Sequence, residues 1–537
     1  MNRSGTDALL ISPQVDLDTI GLKQLHQVLL NKGFSSILLY LPGCDGQDGK
    51  LLDSITTFVE SRLPKFIGIS LMSHEYSAAA RLTGRLKQNF PEVPVIWGGV
   101  HATIAPEMCL EHADYVCVGE GEAAVAALAD SLRQGNHIEG IANLWHVREE
   151  RLIPTPLAPL LEDLDALPPC GHRPSPAYVA HRGSIVPLDK SLFKHYARWR
   201  GTVYSIMGSR GCPFSCAYCC NDFLARLYDA KKVRRRSVPD IIAELSRAIR
   251  DNPGIYYINF QDDCFLACSD EYLRDFCRAY QKEVGRPFIV RCIPSFINET
   301  RLKQLQAAGL AWISLGLQSG NDSILKGVYN RRSTGRQFLE AAQLVNKLGI
   351  AAYYDIIVDN PLESDADRQK TVALLTAVPR PFFLQLFSLT LYPGTALRER
   401  IIPDYPELAE DYLRKNYHRY QPTFLNRIIR LSGYMPPGLV RKLAAEAGQP
   451  SSRFRIRLTL AGLVSALVME PVAYFRVIRR SQHGSIWAAL KQLPVFFRVG
   501  ISRYVKQFSG PLSFLAERAV RDEITSHPDS AGKSKPS

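Results

Sequence analysis

Cys212, Cys216 and Cys219 fall within eight residues, in the run Cys212-Pro213-Phe214-Ser215-Cys216-Ala217-Tyr218-Cys219. A four-iron cluster takes one thiolate on each iron. Three thiolates at this spacing can hold such a cluster and leave its fourth iron open, where a small molecule can bind and be activated. A structural zinc site is the competing interpretation, but zinc usually takes four ligands, commonly as two Cys-x2-Cys pairs. Cys220 follows directly and is left out of the site.

The elements around this run must hold it at the rim of a cavity. From about residue 202, strand patterns at Val203–Met207, Tyr256–Phe260, Phe288–Cys292, Trp312–Leu317, Ala351–Val358 and Phe383–Phe387 alternate with helical runs. Six such units are too few for a closed eight-fold barrel. The cysteines come directly after the first strand, where chemistry on a β/α barrel is placed. Residues 1–150 show a second alternation, with five short apolar runs from Ala8–Ile11 to Tyr115–Val118, which predicts a doubly wound, Rossmann-like parallel sheet. Residues 151–200 are rich in proline and are expected to be a linker. The barrel is expected over 201–400, a mainly helical basic region over 401–522 and a disordered tail over 523–537. The predicted fold class is therefore α/β: a Rossmann-like sheet, an open (β/α)6 partial TIM barrel, then helices.

With Tyr218 immediately before its third cysteine, the cluster run closely resembles that of the radical S-adenosylmethionine (SAM) enzymes, whose barrels have six units. The resemblance implies a 4Fe-4S cluster at Cys212, Cys216 and Cys219, with SAM on the open iron cleaved reductively to a 5′-deoxyadenosyl radical. Gln261-Asp262-Asp263 resembles the acidic loop that receives the SAM ammonium group, although aspartate also caps helices well. Gly316-Leu317-Gln318-Ser319-Gly320 matches a Gly-x-Gln/Glu-Ser-Gly pattern, so Gly316, Gln318 and Ser319, with Tyr218, are expected SAM contacts. Tyr392-Pro393-Gly394-Thr395 matches the closing Pro-Gly-Thr turn. Asp355–Glu363 departs from the family's fifth-strand loop, and its adenine contacts are not carried over. Arg234, Arg236 and Ser237 resemble the basic element after the cluster loop, or equally a solvated helix entry.

In the first 150 residues, Gly98, Gly99 and His101 at one strand end, with Gly119, Glu120 and Gly121 at the next, resemble the cobalamin-binding domain fused ahead of such barrels. No Asp-x-His-x-x-Gly motif occurs there, so a histidine ligand to cobalt is not implied. The resemblance then implies cobalamin-dependent methylation of an unactivated carbon. A radical SAM oxidoreductase, cyclase or rearrangement enzyme is the alternative, and a non-catalytic iron–sulfur sensor a more distant one.

Composition sets the remaining bounds. Among 537 residues, 46% are apolar and 22% charged, as in ordinary folded proteins. Twelve dispersed cysteines do not make a disulfide-stapled fold, and no secretory segment is visible after Met1, so a cytoplasmic location is expected. The net charge is +13, and between Arg453 and Lys506 ten Lys or Arg residues face one acid, Glu470. Arg476, Arg479, Arg480, Arg498, Arg503 and Lys506 interleave there with Phe475, Trp487, Phe496, Phe497 and Tyr504. That stretch is expected either to cap the barrel mouth with a solvated basic face, or to lie on an anionic membrane as a peripheral contact. Expected partners are a small-molecule or lipid-like substrate and an electron donor such as flavodoxin or ferredoxin, with no nucleic acid.

Overall fold

Short apolar runs buried on both faces become parallel strands, because only flanking helices on both sides can cover them. In the computed structural model, which describes residues 5–414 and 416–480, this produces two sheets. In the first, β1 (Ala8–Ser12), β2 (Ser36–Tyr40), β3 (Phe66–Ser70), β4 (Val95–Gly98) and β5 (Tyr115–Cys117) pair in parallel. Leu9, Ile11, Ile67 and Trp97 fill the core on one face; Ala8, Leu10, Phe66 and Ile96 fill it on the other.

The expected linker is the main departure. Residues 151–200 are not a free extended segment: β7 (Arg151–Ile153), β8 (Ala177–His181) and β9 (Ser184–Pro187) extend this sheet, as does β6 (Leu144–Arg148). The order is β7-β6-β5-β4-β3-β1-β2-β8-β9. Proline is tolerated at strand starts and edges, which is where these additions lie. Pro176 precedes β8, and Pro187 ends the edge strand β9.

The second sheet holds β10 (Val203–Ile206), β13 (Tyr257–Phe260), β14 (Phe288–Cys292), β15 (Leu310–Gln318), β16 (Ala351–Val358) and β17 (Phe383–Ser388), in that order and all parallel. Its two end strands do not pair with each other, so the barrel is open. A small antiparallel pair, β11 (Ser209–Arg210) with β12 (Arg234–Arg235), brackets the cysteine loop.

Strand alternation sorts the barrel into layers. Tyr204, Phe260, Val290, Leu315, Tyr354 and Leu386 face the surrounding helices. At the amino-terminal end of the bore lies an aromatic floor, in which Trp312 stacks on Tyr353 at 4.9 Å and Phe383 packs beside them. Tyr434, from the turn between two carboxy-terminal helices, and Tyr474, from the last described helix, seal that floor from below at the end opposite the barrel mouth. Higher in the bore come polar side chains in three register pairs, Ser205 with Asn259, Arg291 with Ser314 and Asp355 with Gln385, each pair a step further along the strands. The expected helical region is helical over Phe424–Leu431, Pro437–Glu446 and Ser452–Arg480; residues 481–522 and the tail lie outside the described residues.

Candidate active site

The cysteine loop leaves β10 and is stitched to the loops after β15 and β17. Ala217 N–H donates to Tyr329 C=O at 3.0 Å, and Leu397 N–H donates to Ala217 C=O at 2.8 Å. Asn330 adds a bond to the Ser215 carbonyl at 2.7 Å. Cys212, Cys216 and Cys219 are free and half-buried, and they interact electrostatically with one another. Burial pushes the Cys212 thiol up to about 11, assisted by Asp263 and opposed by the Phe214 N–H. Burial also raises Cys216, against the pull of the Arg331 guanidinium.

Among the described residues, no three His, Cys, Asp or Glu side chains converge as ligands of one ion. Thiolates on a single zinc stand about 3.8 Å apart, whereas a cluster places each on its own iron. Three cysteine thiolates on one loop suit a cluster, which takes one thiolate on each iron.

Arg331 was not singled out by any motif, yet it organises the loop. It donates to the Tyr218 hydroxyl at 2.7 Å and to the Gly316 carbonyl at 2.8 Å, while Tyr218 packs edge-on against Tyr329 at 5.2 Å. Nothing local distinguishes Arg331 from its neighbour Arg332; only the packing does. The Tyr218 hydroxyl is thus engaged within the protein.

The two aspartates divide their roles. Asp262 is fully buried and accepts bonds from the Gly208 N–H at 3.0 Å and from Ser209, with Arg235 3.7 Å away. It pins the start of the cysteine loop. Asp263 is exposed at the barrel mouth and close enough to Cys212 and Cys219 to raise both thiols.

Next to it, β15 slips register against β16 between Gly316 and Gln318, a bulge of the kind that re-aims side chains beside active sites. Gln318 takes a left-handed φ of 72°, and its buried Oε1 has no partner. A Cβ on Gly316 would lie 2.5 Å from the Gln318 amide nitrogen, so a side chain there would push the Gln318 amide from its place. An orphaned acceptor on a strained backbone fits an absent ligand with hydroxyl or amine donors, as SAM has. Ser319 is buried and donates instead to Glu363 at 2.7 Å.

Across the domain boundary, a cavity of about 260 Å³ opens between the first sheet and the barrel. Gly98, Gly99, Gly119, Glu120 and Gly121 line its rim, and Leu10, Phe66, Ile96, Val125 and Leu128 line its apolar depth. Ser205, Met207 and Arg210 close it from the barrel side. A Cβ on Gly99 would come within 2.8 Å of the Leu71 carbonyl, and one on Gly119 within 1.9 Å of the Tyr228 hydroxyl. Bare backbone at the rim and an apolar slot behind it fit a flat macrocycle whose nucleotide tail ends in an apolar aromatic base, as cobalamin's does.

Glu120 faces this cavity but is already committed. Arg234 grips it at 2.5 and 3.1 Å and Arg210 at 3.1 Å, which hold its carboxyl below the usual range despite burial. His101 does not line the cavity. It is fully buried between Tyr76 and Tyr412, with Nδ1 3.1 Å from Ser73 Oγ, and burial pushes it down to about 4, leaving it neutral.

With this geometry in view, comparison with known proteins is specific. Residues 6–129 match the B12 binding domain family and residues 206–375 the Radical SAM superfamily. An uncharacterized methyltransferase of Pyrococcus horikoshii is 27% identical over 345 residues, 63% of this chain and 70% of that protein. An anaerobic magnesium-protoporphyrin IX monomethyl ester cyclase of Synechocystis is 26% identical, covering 64% and 65%. The solved structure of the cobalamin-dependent S-adenosylmethionine radical enzyme OxsB with aqua-cobalamin bound superposes with a TM-score of 0.61 at 15% identity, over 97% of this chain and 85% of that one. The two matched domains imply a 4Fe-4S cluster, SAM and cobalamin as the cofactors, and the residues described above fit all three. The chain belongs to the radical SAM enzymes that carry an amino-terminal B12-binding domain.

Proposed function

We propose that this enzyme is a cobalamin-dependent radical SAM methyltransferase that methylates an unactivated carbon. The observation carrying this is the shared cavity: the glycine rim of the first sheet faces the barrel strand that runs directly into the cysteine loop. When bound, the cluster and SAM supply a carbon-centred radical, and cobalamin supplies a methyl group. Cys212, Cys216 and Cys219 hold the cluster, and Arg331 fixes the loop through Tyr218. Asp263 stands where a SAM ammonium needs a carboxylate, and Gln318 offers an acceptor to its hydroxyls. The glycine rim admits the corrinoid. Glu120 acts through Arg210 and Arg234 to align the two domains.

The bore of the barrel is the place for substrate. Arg291 and Gln385 are exposed inside it, and Asp355 keeps one buried oxygen without a partner. Asp355 accepts from Ser314 at 2.9 Å, and burial pushes its carboxyl up to about 6. A polar tier above an aromatic floor suits a small or lipid-like molecule with a polar end. An acidic electron donor such as flavodoxin or ferredoxin suits a chain with net charge +13.

The test is anaerobic reconstitution with iron, sulfide and hydroxocobalamin, then incubation with SAM and a strong reductant. Formation of 5′-deoxyadenosine together with S-adenosylhomocysteine supports methylation. 5′-Deoxyadenosine alone favours a second reading, suggested by the cyclase relative, in which no methyl group moves. Absence of both products refutes radical SAM chemistry in this protein.

A further inference from the structure

The helix that seals the barrel floor has two unlike faces. It runs from Ser452 to Arg476, and one side is buried on the barrel through Phe454, Leu458 and Tyr474. The opposite side is bare. Of the fourteen large hydrophobic side chains exposed among the described residues, eight lie on this one helix, including Ile456, Leu460, Leu463, Leu467, Val468 and Phe475. Their spacing of three and four residues makes one ridge, about 30 Å long at the helical rise.

Arg453, Arg455 and Arg476 stand exposed at the two ends of that ridge. The single acid of the segment, Glu470, is buried and paired with Arg430 at 3.1 Å, so the surface of the ridge carries cations only. In length and hydropathy the helix could span a bilayer, but a helix committed to the barrel on one face cannot also be wrapped by lipid.

We infer that this ridge lies in the plane of an anionic membrane surface, with its aliphatic side chains in the acyl boundary and its arginines on lipid phosphates. An apolar stripe flanked by basic residues is the pattern of interfacial helices. Two other occupants are disfavoured by charge. Twofold pairing with a second copy brings the arginine ends together in either direction. The chain that follows has no acid from Pro471 to Ala516, so folding it back over the ridge adds like charge. Nucleic acid is a poor match for an aliphatic ridge. The active-site mouth lies at the other end of the barrel from the ridge, so docking leaves it open.

The experiment is flotation of the full-length protein with vesicles of phosphatidylcholine alone, or of phosphatidylcholine mixed with phosphatidylglycerol. Binding is expected only to the mixed vesicles, weakening as salt rises. The pair Leu460→Glu and Leu467→Glu should lower it about ten-fold or more, with iron content unchanged. Arg453→Gln with Arg455→Gln and Arg476→Gln gives a second arm that leaves the apolar side chains in place: it should lose the preference for anionic lipid. Wild-type protein that stays unbound overturns the proposal, as does equal flotation by the ridge variant. A dimer abolished by Leu460→Glu would assign the ridge to a second copy and overturn it equally.

Discussion

At the residue scale, the site depends on a few buried polar commitments that can be separated by substitution. Cys216→Ala removes one cluster thiolate; iron should fall from about four per chain towards zero, checked by iron analysis and visible absorption. The two adjacent aspartates should behave differently. Asp263→Asn should raise the KM for SAM about ten-fold or more with the melting temperature unchanged, since one charge-assisted bond is worth roughly 1.5–3 kcal/mol. Asp262→Asn should do the reverse, lowering stability by about 1–3 kcal/mol, because the acceptor holding Gly208 and Ser209 is buried and weakened. Calorimetry together with SAM-cleavage kinetics distinguishes the pair.

At the element scale, loops are held to one another by single contacts whose loss has a readable sign. Ser319 ties the loop after β15 to Glu363, beyond β16, and burial pushes the Glu363 carboxyl up to about 7. A carboxyl whose pKa is raised by folding stabilises the fold while protonated. Its contribution is therefore present below the unfolded value near 4.5 and is lost as pH rises towards 7. Glu363→Gln should flatten the fall in melting temperature across that window. At the cavity rim, Gly119 has φ 88° and its Cβ position is occupied by the Tyr228 hydroxyl. Gly119→Ala should lower corrinoid content, read from visible spectra, while leaving iron content intact.

At the scale of the whole molecule, polar bridges join the two sheets. Arg234 and Arg210 on the barrel side grip Glu120 and Glu122, and Asp18 accepts from Ser205 Oγ at 2.5 Å. Breaking a buried pair leaves a charge uncompensated, but Glu120 is about a quarter exposed, which screens it. Arg234→Met should therefore cost on the order of 2 kcal/mol and separate the melting of the two domains in calorimetry.

The sequence by itself determined the chemistry-bearing loop, both alternating sheets and the glycine rim. These are set by local spacing: cysteines that must reach one cluster, apolar runs that must be covered on both faces, and backbone that must approach a ligand closely. Only the tertiary structure decided which of two neighbouring aspartates pins the cysteine loop and which faces its thiols, that Arg331 organises Tyr218, that His101 is core, and that the proline-rich segment completes a sheet. Each of those depends on partners far away in the chain, such as Ser209 for Asp262, Tyr412 for His101 and β2 for β8. Burial and long-range pairing are properties of the packed molecule, and no local pattern of residue types encodes them.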